Sequence, residues 1–188
     1  MMNVYESNEI VVRLLEIEDE HHLVKWLSDP EVLQYYEGRD RPHDLDMVRE
    51  HFYNQDDDAT RCIVEYGGNP IGYIQIYELE DQERSEYGYG DTDEIIYGTD
   101  QFIGEIDYWN KGIGTQLMQS MLAYLINQQQ ASKVVMDPQA WNHRAISCYE
   151  KCGFQKIKLL EKHEQHEGQM RDCWLMEYTS SSSLSYSE

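Results

Sequence analysis

The apolar positions of this chain switch repeatedly between a period of two and a period near 3.6, and the switches mark its elements. Residues 9–17, EIVVRLLEI, alternate weakly and are rich in β-branched side chains, which predicts a first strand. Leu23, Trp26 and Leu27 then fall at helical spacing within 18–29, and Asp29-Pro30 breaks the pattern. A second short helical pattern, DLDMVREHF, covers 44–52. RCIVEY and IGYIQIYEL return to strand character on either side of GGNP, a turn sequence, so together they predict a hairpin. Residues 80–94, EDQERSEYGYGDTDE, are polar and acidic with interleaved tyrosines, and they predict a long loop of the kind that is often functional. EIIYGTDQFIG predicts the next strand. From Gly112 onward Ile113, Leu117, Met118, Met121, Leu122 and Leu125 share one helical face. KVVMD predicts a short strand that stops at Pro138, and HRAISCYEKCGF a helix closed by a left-handed glycine. Two last strands flank the polar EKHEQHEGQMRD, and SSSSLSYSE predicts a disordered tail. The order of elements is mixed α/β, a central sheet with helices packed on it. It predicts one domain over 1–179, with the serine-rich tail at 180–188 and no internal repeats.

Composition narrows the partners. The chain has 188 residues, 40% of them hydrophobic, enough to bury a core. Its 36 acidic residues outnumber the 15 basic ones and leave a net charge of −21, which repels nucleic acid and anionic lipid and attracts cations. Solvation accounts for most of these carboxylates, and a polycationic substrate is the sharper alternative. No N-terminal stretch has the form of a secretion signal, and no run approaches membrane-spanning length. Cys62, Cys148, Cys152 and Cys173 show neither a CxxC pair nor a disulfide framework, so reduced thiols and a cytoplasmic location are expected. Cys148 and Cys152, one helical turn apart, read as packing residues.

Candidate chemistry begins at WNKGIGTQL, residues 109–117. A strand, a KGIGT turn and an amphipathic helix make an anion site, because free N–H groups point out of a helix N-terminus and glycine admits a phosphate to them. The Walker spacing is absent, and Leu117 stands where a dinucleotide fingerprint needs its third glycine. Taken alone, a structural glycine pair at a tight helix start explains the turn equally well. His163, Glu164, His166 and Glu167, with His21 and His22, suggest a metal cluster, but the spacing is not HExxH and no cysteine accompanies it. They read as a polar hairpin loop, and no metal is expected.

WNHRAISCYEKCGF follows the glycine turn in the order and at the distance seen in the GNAT acetyltransferases, whose pattern is an xxGxG(T/A) turn, a helix, a strand and an NxxAIxxYxKxGF helix. Asn142, Ala145, Ile146, Tyr149, Lys151, Gly153 and Phe154 match the second motif at every position, while Trp109 stands where the first usually has Arg or Gln. More widely, WLSDPEVLQYYEGRD, PIGYIQIY, the acidic loop, DEIIYGTDQFIG, YWNKGIGT and MDPQAWNHRAISCYEKCGF, in that order, resemble the aminoglycoside 6′-N-acetyltransferases. The likeness spans nearly the whole chain apart from the serine tail.

The resemblance implies a GNAT fold, with a mixed sheet of about six to seven strands splayed in the middle to hold acetyl-CoA. The implied activity moves the acetyl group to the 6′-amine of aminoglycoside antibiotics and so confers resistance. It places Ile103, Lys111, Gly112, Ile113, Gly114, Thr115, Asn142 and Tyr149 at the coenzyme. Asp100 would receive and orient the amine, Tyr149 would protonate the departing thiolate, and a backbone N–H between Gln101 and Gly104 would hold the oxyanion. Asp137, Tyr35, Tyr36, Glu86, Tyr87 and Tyr89, with Asp91 and Asp93, would line a carboxylate-rich cleft for the cationic aminoglycoside. Read without the resemblance, Asp100 is a strand-end turn cap, Tyr149 a core-facing tyrosine, and Glu86, Asp91 and Asp93 solvated loop residues. Neither nucleic acid nor membrane is expected as a partner, and the protein is expected as a monomer or homodimer. Two readings compete: acetylation of another amine (a polyamine, a protein N-terminus or a lysine), and a non-catalytic acyl-CoA-binding sensor.

Overall fold

The computed structural model describes every residue except Met1, Asn8, Gln55, Asp91 and 181–188. Eight strands form one sheet in the order β1-β2-β3-β4-β5-β6-β8-β7. They are β1 (Asn3–Glu6), β2 (Ile10–Leu14), β3 (Thr60–Tyr66), β4 (Asn69–Glu78), β5 (Ile96–Ile103), β6 (Lys133–Met136), β7 (Gln155–His166) and β8 (Gln169–Thr179). All neighbours are antiparallel except β5 and β6, which run parallel from Ile96↔Lys133 to Gly98↔Val135. A parallel pair needs a crossover, and the helix α5 (Ile113–Asn127) supplies it. The other α-helices are α1 (Glu20–Trp26), α2 (Pro30–Leu33), α3 (Leu45–Val48, continued by a π-helical turn over Arg49–Tyr53), α4 (Asp81–Tyr87) and α6 (His143–Lys151).

Apolar cores on both faces of the sheet follow from the alternation of side chains along the central strands, with a third cluster of Leu79, Ile96, Val135, Leu160, Cys173 and Leu175. On one face Leu117, Met118, Met121 and Leu125 of α5 pack with Ile146 of α6 over Ile74, Val134 and Met136. On the other, Leu23 and Trp26 of α1 and Val48 of α3 pack over Ile63, Tyr73 and Phe102. Along β5 the period of two sends Tyr97 and Ile103 towards the first core and Phe102 towards the second.

The observed elements depart from the sequence reading in several places. The strand β1 precedes the expected first strand; it is short and only half-buried, so it carries no clear alternation. Asp29-Pro30 is a restart as well as a break, because Asp29 accepts the Glu31 N–H and Pro30 opens α2. Residues 81–87, expected in a loop, form α4. A reciprocal capping box between Glu80 and Glu83 starts it, and Gly88 at φ 88° ends it. The polar stretch 161–172 lies within β7 and β8 for most of its length, since the turn is confined to Glu167 and Gly168. Ser180, first residue of the expected tail, is buried and donates its N–H to Ser132 O at 2.9 Å. The rest of that tail lies outside the described residues.

One feature of the sheet positions the site. The last pairing of β5 with β6 is at Gly98, and β6 ends at Met136, while β5 runs on to Ile103. From Thr99 onward one edge of β5 is therefore open, and the sheet splays there.

Candidate active site

The splay opens into a cleft of about 980 Å³. One wall is the glycine turn. Asn110 and Gly112 both adopt left-handed backbone, at φ 59° and 80°, and turn the chain sharply into α5. The first intrahelical bond is Gln116 N–H to Gly112 O, and Gly112 has no side chain to cap the helix. The N–H groups of Ile113, Gly114 and Thr115 thus have no helical partner, and all three residues line the cleft. Trp109, which replaces the usual Arg or Gln, fastens the turn to the sheet by donating its indole N–H to Ile103 O at 2.8 Å.

The floor of the cleft is β5. Ile96 O accepts from Leu79 and Gly104 N–H donates to Ile71 O, so the even-numbered residues direct their backbone polar groups at β4. The odd-numbered N–H groups of Gln101 and Ile103 therefore point into the gap. Gln101 donates its side-chain N–H to the Tyr149 hydroxyl at 2.7 Å. Its Oε1 and the Thr99 hydroxyl are buried without a partner among the described residues. Orphaned polar groups of this kind, beside free helix N–H groups, suit an extended amide-bearing ligand that ends in phosphates. Burial raises the Tyr149 phenol above its ordinary range, which keeps it protonated.

Asp100 projects from the opposite face of β5. It pairs in register with Gln75, whose Nε2 donates to Asp100 Oδ2 at 2.8 Å, and Tyr73 in turn donates to Gln75 Oε1 at 2.9 Å. The Tyr77 hydroxyl also donates to Asp100. Its ring lies over Gly98, where a Cβ would stand 2.5 Å from ring atoms, so this glycine makes the room that brings Tyr77 to the carboxylate. Desolvation, reinforced by the charge of Asp137, pushes the Asp100 pKa up to about 6; the bonds from Gln75 and Tyr77 oppose the rise. A carboxylate with that pKa can hold a proton near neutral pH.

Asp137 lies just beyond β6 on the cleft wall. Its Oδ2 accepts from the Tyr87 hydroxyl at 3.0 Å and pairs with His163 Nε2 at 2.8 Å. Glu164, next along β7, also lines the cleft, and burial raises its pKa. His163 and Glu164 are thus strand residues facing the cleft, whereas the sequence places them in a hairpin loop.

Of the residues expected at the site, Asp100, Tyr149, Ile103, Gly112, Ile113, Gly114, Thr115, Asn142, Asp137, Tyr35 and Tyr36 all line this one cleft. Lys111 sits between lining residues, its ammonium 5.9 Å from the Tyr108 ring centre. Asn142 spends its Oδ1 on the Ala145 N–H, as the cap of α6. Tyr87 stands behind Asp137 and reaches the cleft through it. Tyr89 turns away, its hydroxyl on Glu177 at 2.7 Å. Glu86 and Asp93 are exposed on or near α4, outside the cleft lining, and Asp91 lies outside the described residues. Sequence reasoning misses Gln75, Tyr77, His163, Glu164 and Arg144. For Gln75 a signal exists: it is a polar residue on the inward face of an otherwise apolar central strand.

Charge divides the cleft into two ends. At the turn, Arg144 and Lys151 line it with no carboxylate partner among the described residues. The Arg144 guanidinium is held between the rings of Tyr35 and Trp109, at 4.1 and 4.0 Å. At the other end Asp100, Asp137 and Glu164 have no Lys or Arg partner among the described residues. The cleft therefore suits an anion at the helix N-terminus and a cation beside Asp100. Among the described residues no helix is long and apolar enough to cross a membrane.

Known proteins share this architecture. The chain is 31% identical over 163 residues to an aminoglycoside N(6′)-acetyltransferase type 1 of Klebsiella pneumoniae, an overlap of 81% of this chain and 78% of that protein. The crystal structure of aminoglycoside acetyltransferase AAC(6′)-Ib in complex with coenzyme A and kanamycin matches with a TM-score of 0.71 and 25% identity, covering 95% of this chain and 99% of that one. Spermidine N-acetyltransferase from Vibrio cholerae, with CoA and spermine, matches with a TM-score of 0.74 over 95% and 99% of the two chains, but at 20% identity that likeness is one of fold alone. Residues 17–162 match the acetyltransferase (GNAT) domain family, and the chain belongs to that family.

Proposed function

We propose that the protein transfers the acetyl group of acetyl-CoA to the 6′-amine of aminoglycosides, and so protects a cell from them. The observation that carries this reading is the polarity of the cleft: a desolvated aspartate and two further carboxylates, without Lys or Arg partners among the described residues, face an anion-binding turn across a gap in the sheet. In the family the co-substrate supplies a thioester whose acyl carbon is open to attack by an amine. The N–H groups of Ile113 to Thr115 would hold its phosphates, with Arg144 and Lys151 adding positive charge, and the orphaned Gln101 Oε1 would accept from its amide arm.

Asp100 orients the substrate ammonium and takes its proton, so that the nitrogen lone pair is free. As the C–N bond forms, the N–H groups of Gln101 and Ile103 stabilise negative charge on the carbonyl oxygen. The C–S bond then breaks, and Tyr149, kept protonated by burial, passes its proton to the departing thiolate and regains one from the second proton shed by the acetylated nitrogen. A thiol with a pKa near ~8.5 leaves without much help, so that contribution is modest. The charge of −21 favours encounter with a polycation and opposes nucleic acid and anionic lipid, as befits a cytoplasmic enzyme.

The direct test is acetyl-CoA turnover with kanamycin, spermidine and a basic peptide as acceptors, and mass spectrometry to locate the acetyl group. Kanamycin modified at its 6′-amine is the expected product. Preferential acetylation of spermidine or the peptide would overturn the assignment.

The pH profile offers a second test. Asp100 must be ionised to take a proton, so transfer should rise with pH through about 6 and fall by up to tenfold per pH unit below it. Tyr77→Phe removes a hydrogen bond that favours the ionised carboxylate, so its acidic limb should move to higher pH. A limb that stays in place would show that Asp100 does not set it.

A further inference from the structure

The histidine at the acceptor end has no part in the mechanism above, yet its placement is specific. Between Leu160↔Cys173 and Glu164↔Arg171 the strand β7 advances four residues while β8 advances two, so β7 carries a two-residue bulge. Lys162, at φ 50°, turns within it and donates its N–H to Asp172 Oδ1 at 2.8 Å. The bulge aims His163 across at Asp137. The far end of the hairpin is fastened by Arg39, whose guanidinium binds both carboxylate oxygens of Glu167, so the strand is held over the cleft.

We infer that His163 sets how strongly the enzyme binds its cationic acceptor, by competing with the substrate for the negative charge of Asp137. This inference rests on the aminoglycoside reading and deepens it. Neutral His163 donates Nε2–H to Asp137 Oδ2, an oxygen shared with the Tyr87 hydroxyl. The carboxylate stays negative, and Oδ1 remains for a substrate ammonium. Protonated His163 keeps the same contact but adds a full positive charge beside Asp137, cancelling its field and repelling the incoming cation.

The surroundings hold a proton on His163 more tightly than a free imidazole would. Its hydrogen bond to Asp137 raises its pKa above the usual 6.5; burial opposes this, and the charges of Asp137, Glu86 and Glu164 add to it. From α4 the groups that face it are Glu86 and Tyr87, whose ring lies 6.2 Å from the imidazole. From its own strand there is Glu164, and across the hairpin β8 carries Arg171 and Asp172, the latter tied to the Lys162 amide. Loss of the His163 proton, at a pH above the ordinary imidazole range, therefore switches Asp137 fully on.

The experiment compares wild type with His163→Gln, which retains a donor for Asp137 but cannot take a proton. Kanamycin Kd is measured from pH 6 upward, with coenzyme Kd as control, and the His163 imidazole is titrated by NMR with and without kanamycin. The two proteins should bind kanamycin equally at the alkaline pH where the NMR titration shows His163 neutral. At pH 6 the wild type should bind about fivefold more weakly than His163→Gln, within the usual range of coupling between sites. Linkage requires the reciprocal effect, so kanamycin should lower the His163 pKa by about 0.7. Protonation of Asp100 and of the drug's own amines affects both proteins alike and drops out of the comparison. Parallel pH profiles together with an unmoved imidazole, in an enzyme that acetylates kanamycin, would overturn the inference and leave the acetyltransfer reading standing. Failure to acetylate kanamycin at all would overturn both.

Discussion

Asp100→Asn should cut acetyl transfer to kanamycin by roughly two to four powers of ten, the range for losing a positioned general base. The substitution keeps the shape of the side chain, and its amide oxygen can still accept from Gln75, so the site should keep its form. What it loses is the charge that orients the ammonium and the group that takes its proton. Coenzyme affinity should hardly change, because the glycine turn is a separate wall of the cleft. Kanamycin affinity should fall modestly, since Asp137 and Glu164 share the cationic load. Stability gives an internal control with a definite sign. The folded pKa of Asp100, about 6, lies above its ordinary value of 3.8, so its contribution to stability is fully present below 3.8 and is lost as pH rises through 6. At pH 8 the ionised, desolvated carboxylate opposes folding, and Asp100→Asn should melt at or above the wild-type temperature. A more stable, nearly inactive enzyme is the expected pair of results. Near wild-type turnover by the folded variant would reduce Asp100 to a structural residue and pass its role to Asp137 or to water.

The geometry of the glycine turn and the face of β5 that carries Asp100 are legible from local chain chemistry, whereas their assignment to a site is legible only through the family resemblance. KGIGT needs no partner to expose its N–H groups, and the period of β5 alone sends Asp100 and Gln101 to opposite faces of the sheet. The helix α5 is equally legible, since six of its residues bury one stripe. By contrast α4 buries no residue fully and is held by caps, so a search for apolar period passes over it. The partners of Asp100 depend on register. Gln75 and Tyr77 reach it because the β3–β4 hairpin and the β4–β5 pairing set Gln75 against Asp100 and Tyr77 against Gly98, and no motif records that alignment. His163 is harder still. A strict alternation along β7 would not place it and Glu164 on one cleft, and the bulge that does so depends on a left-handed lysine and on a carboxylate of the neighbouring strand. The acidic tyrosine segment shows the limit from the other side: composition suggests a substrate loop, but the hydroxyls of Tyr87 and Tyr89 are committed to Asp137 and Glu177.

The coenzyme end makes a claim of comparable reach through one glycine. Gly114 is not a glycine for conformational reasons: its backbone is ordinary helix, and a Cβ there would meet only Cys148 Sγ, at a comfortable 3.6 Å. Gly112, two residues earlier, differs, because at φ 80° any side chain is strained. Gly114→Val should therefore fold, and helix propensity even favours it slightly over glycine. Its branched side chain would nevertheless extend beside the free N–H groups of Ile113 to Thr115, where a phosphate has to approach. Coenzyme Kd should rise tenfold or more, about 1.4 kcal/mol or greater, while kanamycin Kd and melting temperature stay close to wild type. Gly114→Ala should lose less, since a methyl group blocks less of the approach. Gly112→Val, by contrast, should lose stability as well as affinity, which separates strain in the turn from obstruction of the ligand. If folded Gly114→Val bound the coenzyme as tightly as wild type, the phosphates could not lie against this helix start, and Arg144 and Lys151 would have to hold them farther along the cleft.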